Sequence, residues 1–193
     1  PVHDNPAQVG GMRGGFALGW PVVVERLPEL IPPTARAAAG KVHDAVPAML
    51  RALCREPLAL VHADMRLDNL FFAGDEVALV DWQSICFSAP EQDVAYFLTQ
   101  SLTDDVRRAH GEALLRHYHA ALIARGVRDY PFDRLSERYR LAALYLVCYA
   151  VTIAGTLDMG NERGKSLAAA LLGRCLRSID DVDGWELLNR LRA

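Results

Sequence analysis

Asp64, Asn69 and Asp81 are the residues of this sequence best suited to chemistry. The segment 62–69 reads His62-Ala63-Asp64-Met65-Arg66-Leu67-Asp68-Asn69, and Asp81-Trp82-Gln83 follows two short apolar runs. From residue 64 to residue 93 there are seven acids (Asp64, Asp68, Asp75, Glu76, Asp81, Glu91 and Asp93) and one base, Arg66. This window carries −6, whereas the whole chain carries −3. Carboxylates gathered around apolar strands are costly unless a cation joins them or they point into solvent. Asp75 and Glu76 fall in a turn and read as solvated. Asp64, Asn69 and Asp81 bracket the strands where loops meet them. Their carboxylate and amide oxygens suit Mg²⁺, which keeps several waters and takes phosphate oxygens as further ligands.

The spacing His-x-Asp-x-x-x-x-Asn, a hairpin and then Asp has a mechanical meaning in phosphoryl transfer. The first Asp accepts the proton of the attacking hydroxyl, the Asn holds one metal ion, and the later Asp holds the metals bridging the nucleotide phosphates. A metal-dependent hydrolase with His62, Asp64 and Asp81 as ligands is a competing reading. It lacks a second His or acid at metal spacing.

The elements that must position these residues can be read from pattern. Residues 33–55 are predicted helical, with Pro33 in the first turn and Val42, Val46, Met49, Leu50 and Leu53 at helical spacing. Pro47 predicts a kink or break. The run 58–61 predicts a buried strand, and 70–73 and 77–80, joined by Gly74-Asp75-Glu76, predict a hairpin. Helices are predicted over 91–101, 104–125, 134–157, 162–179 and 183–192, with Gly126 as a stop and Asp104 and Asp105 at a positive helix end. Residues 1–25 read as a Gly/Pro-rich connecting segment. The run Gly10-Gly11-Met12-Arg13-Gly14-Gly15 lacks the Lys-Ser/Thr of a phosphate loop. The expected architecture is mainly α with a small β-hairpin, its helical lobe spanning 26–193.

Composition limits the function classes. With 193 residues, 51% hydrophobic and 23% charged, the chain suffices for one domain with a real core. Its slight acidity argues against nucleic acid as the partner. Cys54, Cys86, Cys148 and Cys175 show neither a CxxC nor zinc spacing, which points to a reducing, cytoplasmic setting. Residues 141–157 hold no charge but fall short of a membrane span of about 20 residues. They are read as a buried core helix, with no membrane partner.

The stretch LVHADMRLDNLFFAGDEVALVDWQ, followed by DVAYFL, resembles the aminoglycoside phosphotransferase and choline kinase superfamily. It is most similar to the ecdysteroid-kinase-like, or CHK kinase-like, branch, and residues 62–98 carry the likeness. The resemblance implies the C-terminal lobe of a protein-kinase-like (aminoglycoside phosphotransferase-type) fold. It implies an ATP- and Mg-dependent phosphotransferase acting on a hydroxyl of a small molecule. Asp64 would be the catalytic base, and Asn69 and Asp81 the metal and cofactor ligands. His62, Arg66 and Asp93 would support the catalytic loop. Ala63 stands where the family usually has Gly, and Val94 where it has Leu. No strand Lys paired with a helix Glu precedes Asp64, so the nucleotide-covering N-lobe is expected to be absent from this chain. Little activity alone, and self-association through an exposed lobe face, are the corollaries. The alternative is a non-catalytic kinase-like binding module.

Overall fold

The computed structural model describes residues 4–157 and 162–191. Among the described residues, six α-helices carry most of the chain, and four short strands form two separate two-stranded ribbons. The helices are α1 (Pro6–Arg26), α2 (Pro33–Leu53), α3 (Glu91–Ser101), α4 (Asp104–Ala124), α5 (Phe132–Thr156) and α6 (Glu162–Asp181). This is a mainly helical lobe with a small antiparallel strand region.

Helix α5 is the centre of the core. Its Leu144, Tyr145, Cys148 and Val151 have no exposed surface, and α1, α3 and α6 pack around it. It is also the one helix among the described residues long and apolar enough to cross a membrane, and here it is wrapped by other helices.

Residues 6–26 depart from the connecting segment expected there: they form a helix. Asn5 caps it by accepting the Gln8 N–H at 3.0 Å, and Pro6 opens it with a preset φ. The glycines that suggested flexibility let α1 lie close to α5. A Cβ on Gly19 would strike the Val151 carbonyl oxygen, one on Gly155 would strike the Gly19 Cα, and one on Gly15 would strike Thr152. Residues 1–3 of the expected segment lie outside the described residues.

Helix α2 runs through Pro47 without a break in its helical assignment. Val42, Val46, Met49, Leu50 and Leu53 are all at most 1% exposed, and this burial holds the helix across the proline. The helix expected over 183–192 is a 3₁₀ segment, Gly184–Asn189, entered through Asp183 in the left-handed region at φ 51°. Residue 192 lies outside the described residues. Gly126 stops α4 at φ 94°, donating its N–H to Ile123 O at 3.0 Å.

Strands β2 (Leu70–Ala73) and β3 (Glu76–Leu79) make the expected hairpin, with Leu70 opposite Leu79 and Gly74 at φ 62° in the turn. Strand β1 (Ala59–Val61) pairs antiparallel with β4 (Cys86–Ser88). The strand β4 was not expected, because three residues are too few to show alternation. The two ribbons enclose the segment 62–69 between β1 and β2, and the segment 80–85 between β3 and β4.

Candidate active site

The loop after β1 is held from beneath by α3. Asp93 accepts the backbone N–H of His62 at 2.7 Å and of Ala63 at 2.8 Å, one on each carboxylate oxygen. Burial pushes the Asp93 carboxyl up, and these two N–H bonds oppose that shift. At the far end of the loop, Leu67 donates its N–H to Ser101 Oγ at 3.1 Å. Between these clamps Ala63 sits at φ 62°, a region that costs a residue with a Cβ about 1–2 kcal/mol.

His62 is buried and links the loop to the segment after the hairpin. The Asp64 N–H donates to His62 Nδ1 at 3.3 Å, which assigns the ring proton to Nε2, and Nε2 donates to the Val80 carbonyl at 2.8 Å. The ring also meets Trp82 edge-on, with centroids 4.9 Å apart. Both ring nitrogens are therefore engaged. This removes His62 as a metal ligand and with it the hydrolase reading.

Asn69 is buried and its amide nitrogen donates to Asp64 twice, to the backbone carbonyl at 2.9 Å and to Oδ2 at 3.1 Å. That orientation leaves the amide oxygen as the atom to meet a cation. The Asn69 carbonyl accepts the Val80 N–H at 3.0 Å, so the residue before Asp81 is tied to the loop at its backbone. Asp81 is exposed and lies in the left-handed region at φ 66°, with Gln83 Nε2 3.5 Å from its Oδ2. Arg66 places Nε 3.5 Å from Asp64 Oδ1 and a terminal nitrogen 3.4 Å from Asp68 Oδ2.

The structure thus joins His62, Asp64, Arg66, Asn69 and Asp93 by direct side-chain contacts and brings Asp81 to them through the backbone of Val80. Among the described residues, no three His, Cys, Asp or Glu side chains form a metal-holding group on their own. A metal here would rest on an amide and carboxylates completed by water or phosphate oxygens, the hard-oxygen set that Mg²⁺ takes.

A model of the ecdysteroid kinase-like family matches residues 22–127. The chain belongs to this family. The match runs from the end of α1 through the loop, the hairpin, α3 and α4, so every residue of the site lies within it. No curated protein matches this chain.

Several supporting residues were not singled out from sequence. Glu91, with no exposed surface, accepts from Arg138 Nε at 3.0 Å and from the Tyr130 hydroxyl at 2.5 Å. Arg138 also donates to the carbonyls of Arg55 (3.0 Å) and Pro57 (2.9 Å), which pins the entry to β1 against α3 and α5. Tyr96, one turn beyond Asp93, presents its phenol to the Asp64 carboxylate. Burial first, and that carboxylate second, push its ionisation upward. The Asp93-x-x-Tyr96 spacing on an amphipathic helix was the available signal. Arg138 lies outside the matched segment and gave none. Tyr145 and Tyr149, read as core, stack edge-on at 5.4 Å, and Gln8 of α1 donates to both hydroxyls.

Proposed function

We propose that this protein is an ATP-dependent phosphotransferase that moves the γ-phosphoryl group to a hydroxyl of a small molecule. The observation that carries this reading is the Asp64–Asn69 pair. Its carboxylate is 19% exposed, held by an amide and a loop whose two ends are clamped to one helix. Such a carboxylate can accept the proton of an acceptor hydroxyl as the oxygen attacks phosphorus. Asn69 and Asp81 would hold Mg²⁺, which would supply charge neutralisation to the nucleotide phosphates. His62 and Asp93 fix the loop, so that base and amide keep their relative places.

A second reading, a non-catalytic kinase-like binding module, draws on the exposed apolar side chains of the hairpin, Phe71 on one face and Phe72 with Val77 on the other. Calorimetric titration with MgATP, of wild type and of Asp81→Asn, tests the first reading. Wild type is expected to bind, and the variant, which keeps the shape and loses the charge, is expected to bind at least ~10-fold more weakly. Equal binding by both removes the metal role of Asp81. No binding by either, with the fold intact by circular dichroism, favours the binding module.

A further inference from the structure

We propose that Arg66 is a catalytic residue whose guanidinium meets the phosphoryl group in transit. This inference rests on the phosphotransferase reading and adds a role that the loop-support assignment does not contain. A polyanionic nucleotide entering a window of seven acids needs fixed positive charge where negative charge develops. Arg66 is the one base between residues 64 and 93, and it stands two positions from Asp64.

Its contacts separate it from the arginines that brace this fold. Arg138 makes three bonds of 2.9–3.0 Å, to buried Glu91 and to two backbone carbonyls, and Arg107 holds Asp104 at 2.8 Å and Asp181 at 2.6 Å. Among the described residues Arg66 has two loose pairings of 3.4 and 3.5 Å, and its Nε is buried without a hydrogen bond. Its partner Asp68 is 78% exposed, and a solvated pair of that kind contributes little. The side chain itself is one-third exposed. The result is a cation kept beside the base with donors still to give and an open side for a ligand.

In the step this implies, a bond forms between the acceptor oxygen and phosphorus. The bond from phosphorus to the bridging oxygen of the departing ADP breaks, and its electron pair stays on that oxygen. The hydroxyl proton passes to Asp64. Arg66 N–H groups donate to the non-bridging oxygens of the phosphoryl group, where charge is spread during transfer.

The test compares wild type, Arg66→Lys and Arg66→Gln. Each is titrated with MgADP and with MgADP plus aluminium fluoride, which stands in for the transferring phosphoryl group, and thermal melts are recorded alongside. Fluoride should tighten nucleotide binding by wild type. Arg66→Gln should lose at least ~10-fold of that gain, with MgADP affinity within ~2-fold and the melting temperature unchanged, and Arg66→Lys should lose less. A parallel loss of MgADP affinity and melting temperature would make Arg66 a brace and overturn the proposal. An undiminished fluoride gain in Arg66→Gln overturns it too. If wild type binds MgADP but gains nothing from fluoride, no group meets the phosphoryl and the proposal fails alone. If wild type does not bind MgADP, the phosphotransferase reading fails and takes the proposal with it.

Discussion

Leu144, Tyr145 and Val151 of α5 have no exposed surface, whereas Phe71, Phe72 and Val77 of the β2–β3 hairpin keep 60%, 63% and 57% of theirs. Both regions are apolar in composition, but only the first is covered by other elements of the described chain. Burial of large side chains gives the helical body its cohesion. The hairpin is held at its base by a few polar contacts: Val80 N–H to the Asn69 carbonyl, His62 to the Val80 carbonyl, and the Trp82 indole to the Leu79 carbonyl at 3.0 Å. The difference teaches that stability and chemistry are separated in this lobe. Of the residues proposed to handle a nucleotide, Asp81 sits at the foot of the lightly held hairpin, where local opening is easier, while Asp64 and Asn69 lie on the loop clamped to α3.

The largest effect expected from this contrast is alkaline unfolding of the body. Burial pushes the Cys175 thiol up to about 12 and the Tyr139 phenol up to about 12. It does the same to Tyr118, also to about 12, with Glu91 and Asp93 adding to the shift. Each group holds its proton more tightly folded than unfolded, so the unfolded chain ionises first. Stability should therefore fall as pH rises from the ordinary thiol and phenol values, 9.0 and 10.0, toward 12. Residues 70–80 contain no Tyr or Cys and contribute nothing to this slope. Urea midpoints measured from pH 8 to pH 11.5 should decline. A flat profile would mean that these groups are not buried as described.

The next effect compares one side chain from each region. Leu144→Ala should cost about 2–5 kcal/mol, as cavity-forming core truncations do, while Phe72→Ala should cost under about 1 kcal/mol. Equal losses in urea unfolding would show that the hairpin's apolar face is covered after all.

The glycines of α1 sharpen the picture of the body. Gly19→Ala forces a methyl against the Val151 carbonyl and should cost about 1–3 kcal/mol or more. Gly14→Ala points into open space and should stabilise the helix by about 0.5–1 kcal/mol. Opposite signs of the melting-temperature shift are the expected readout, and like signs would place α1 differently against α5.

The smallest effect lies in the loop itself. Ala63→Gly relieves the left-handed backbone at φ 62° and should raise stability by up to about 1 kcal/mol, part of the relief being returned as unfolded-chain entropy. A loss on this substitution would mean that the Ala63 methyl packs favourably enough to outweigh the strain.

Much of this architecture was legible in the residues. The spacing from His62 to Asn69, the hairpin after it and the helix beginning at Glu91 all lie where pattern places them. They are local, and each rests on side-chain periodicity or on a turn that Gly and Asp favour. Helix α1 was not legible, because glycine reads as flexibility until a neighbour is known. The spacing Gly15-x-x-x-Gly19 was the available sign of a close helix contact. Strand β4 was also not legible because its pairing partners lie far away in sequence, from Val61 opposite Cys86 to Ala59 opposite Ser88. The matching family model confirms the kinase-like family and leaves the roles of the site residues to experiment.

By itself, then, the sequence determined which residues are brought near one another by short range. Asp64 and Asn69 share one turn of loop, and a short Gly/Asp reversal returns the chain toward Asp81. Tertiary structure decided what those residues can do. Asp93 reaches back thirty-one positions to His62, and Arg138 reaches across eighty-one to the Pro57 carbonyl. Contacts of such separation depend on how helices pack, and packing is a property of the whole core that no local window contains.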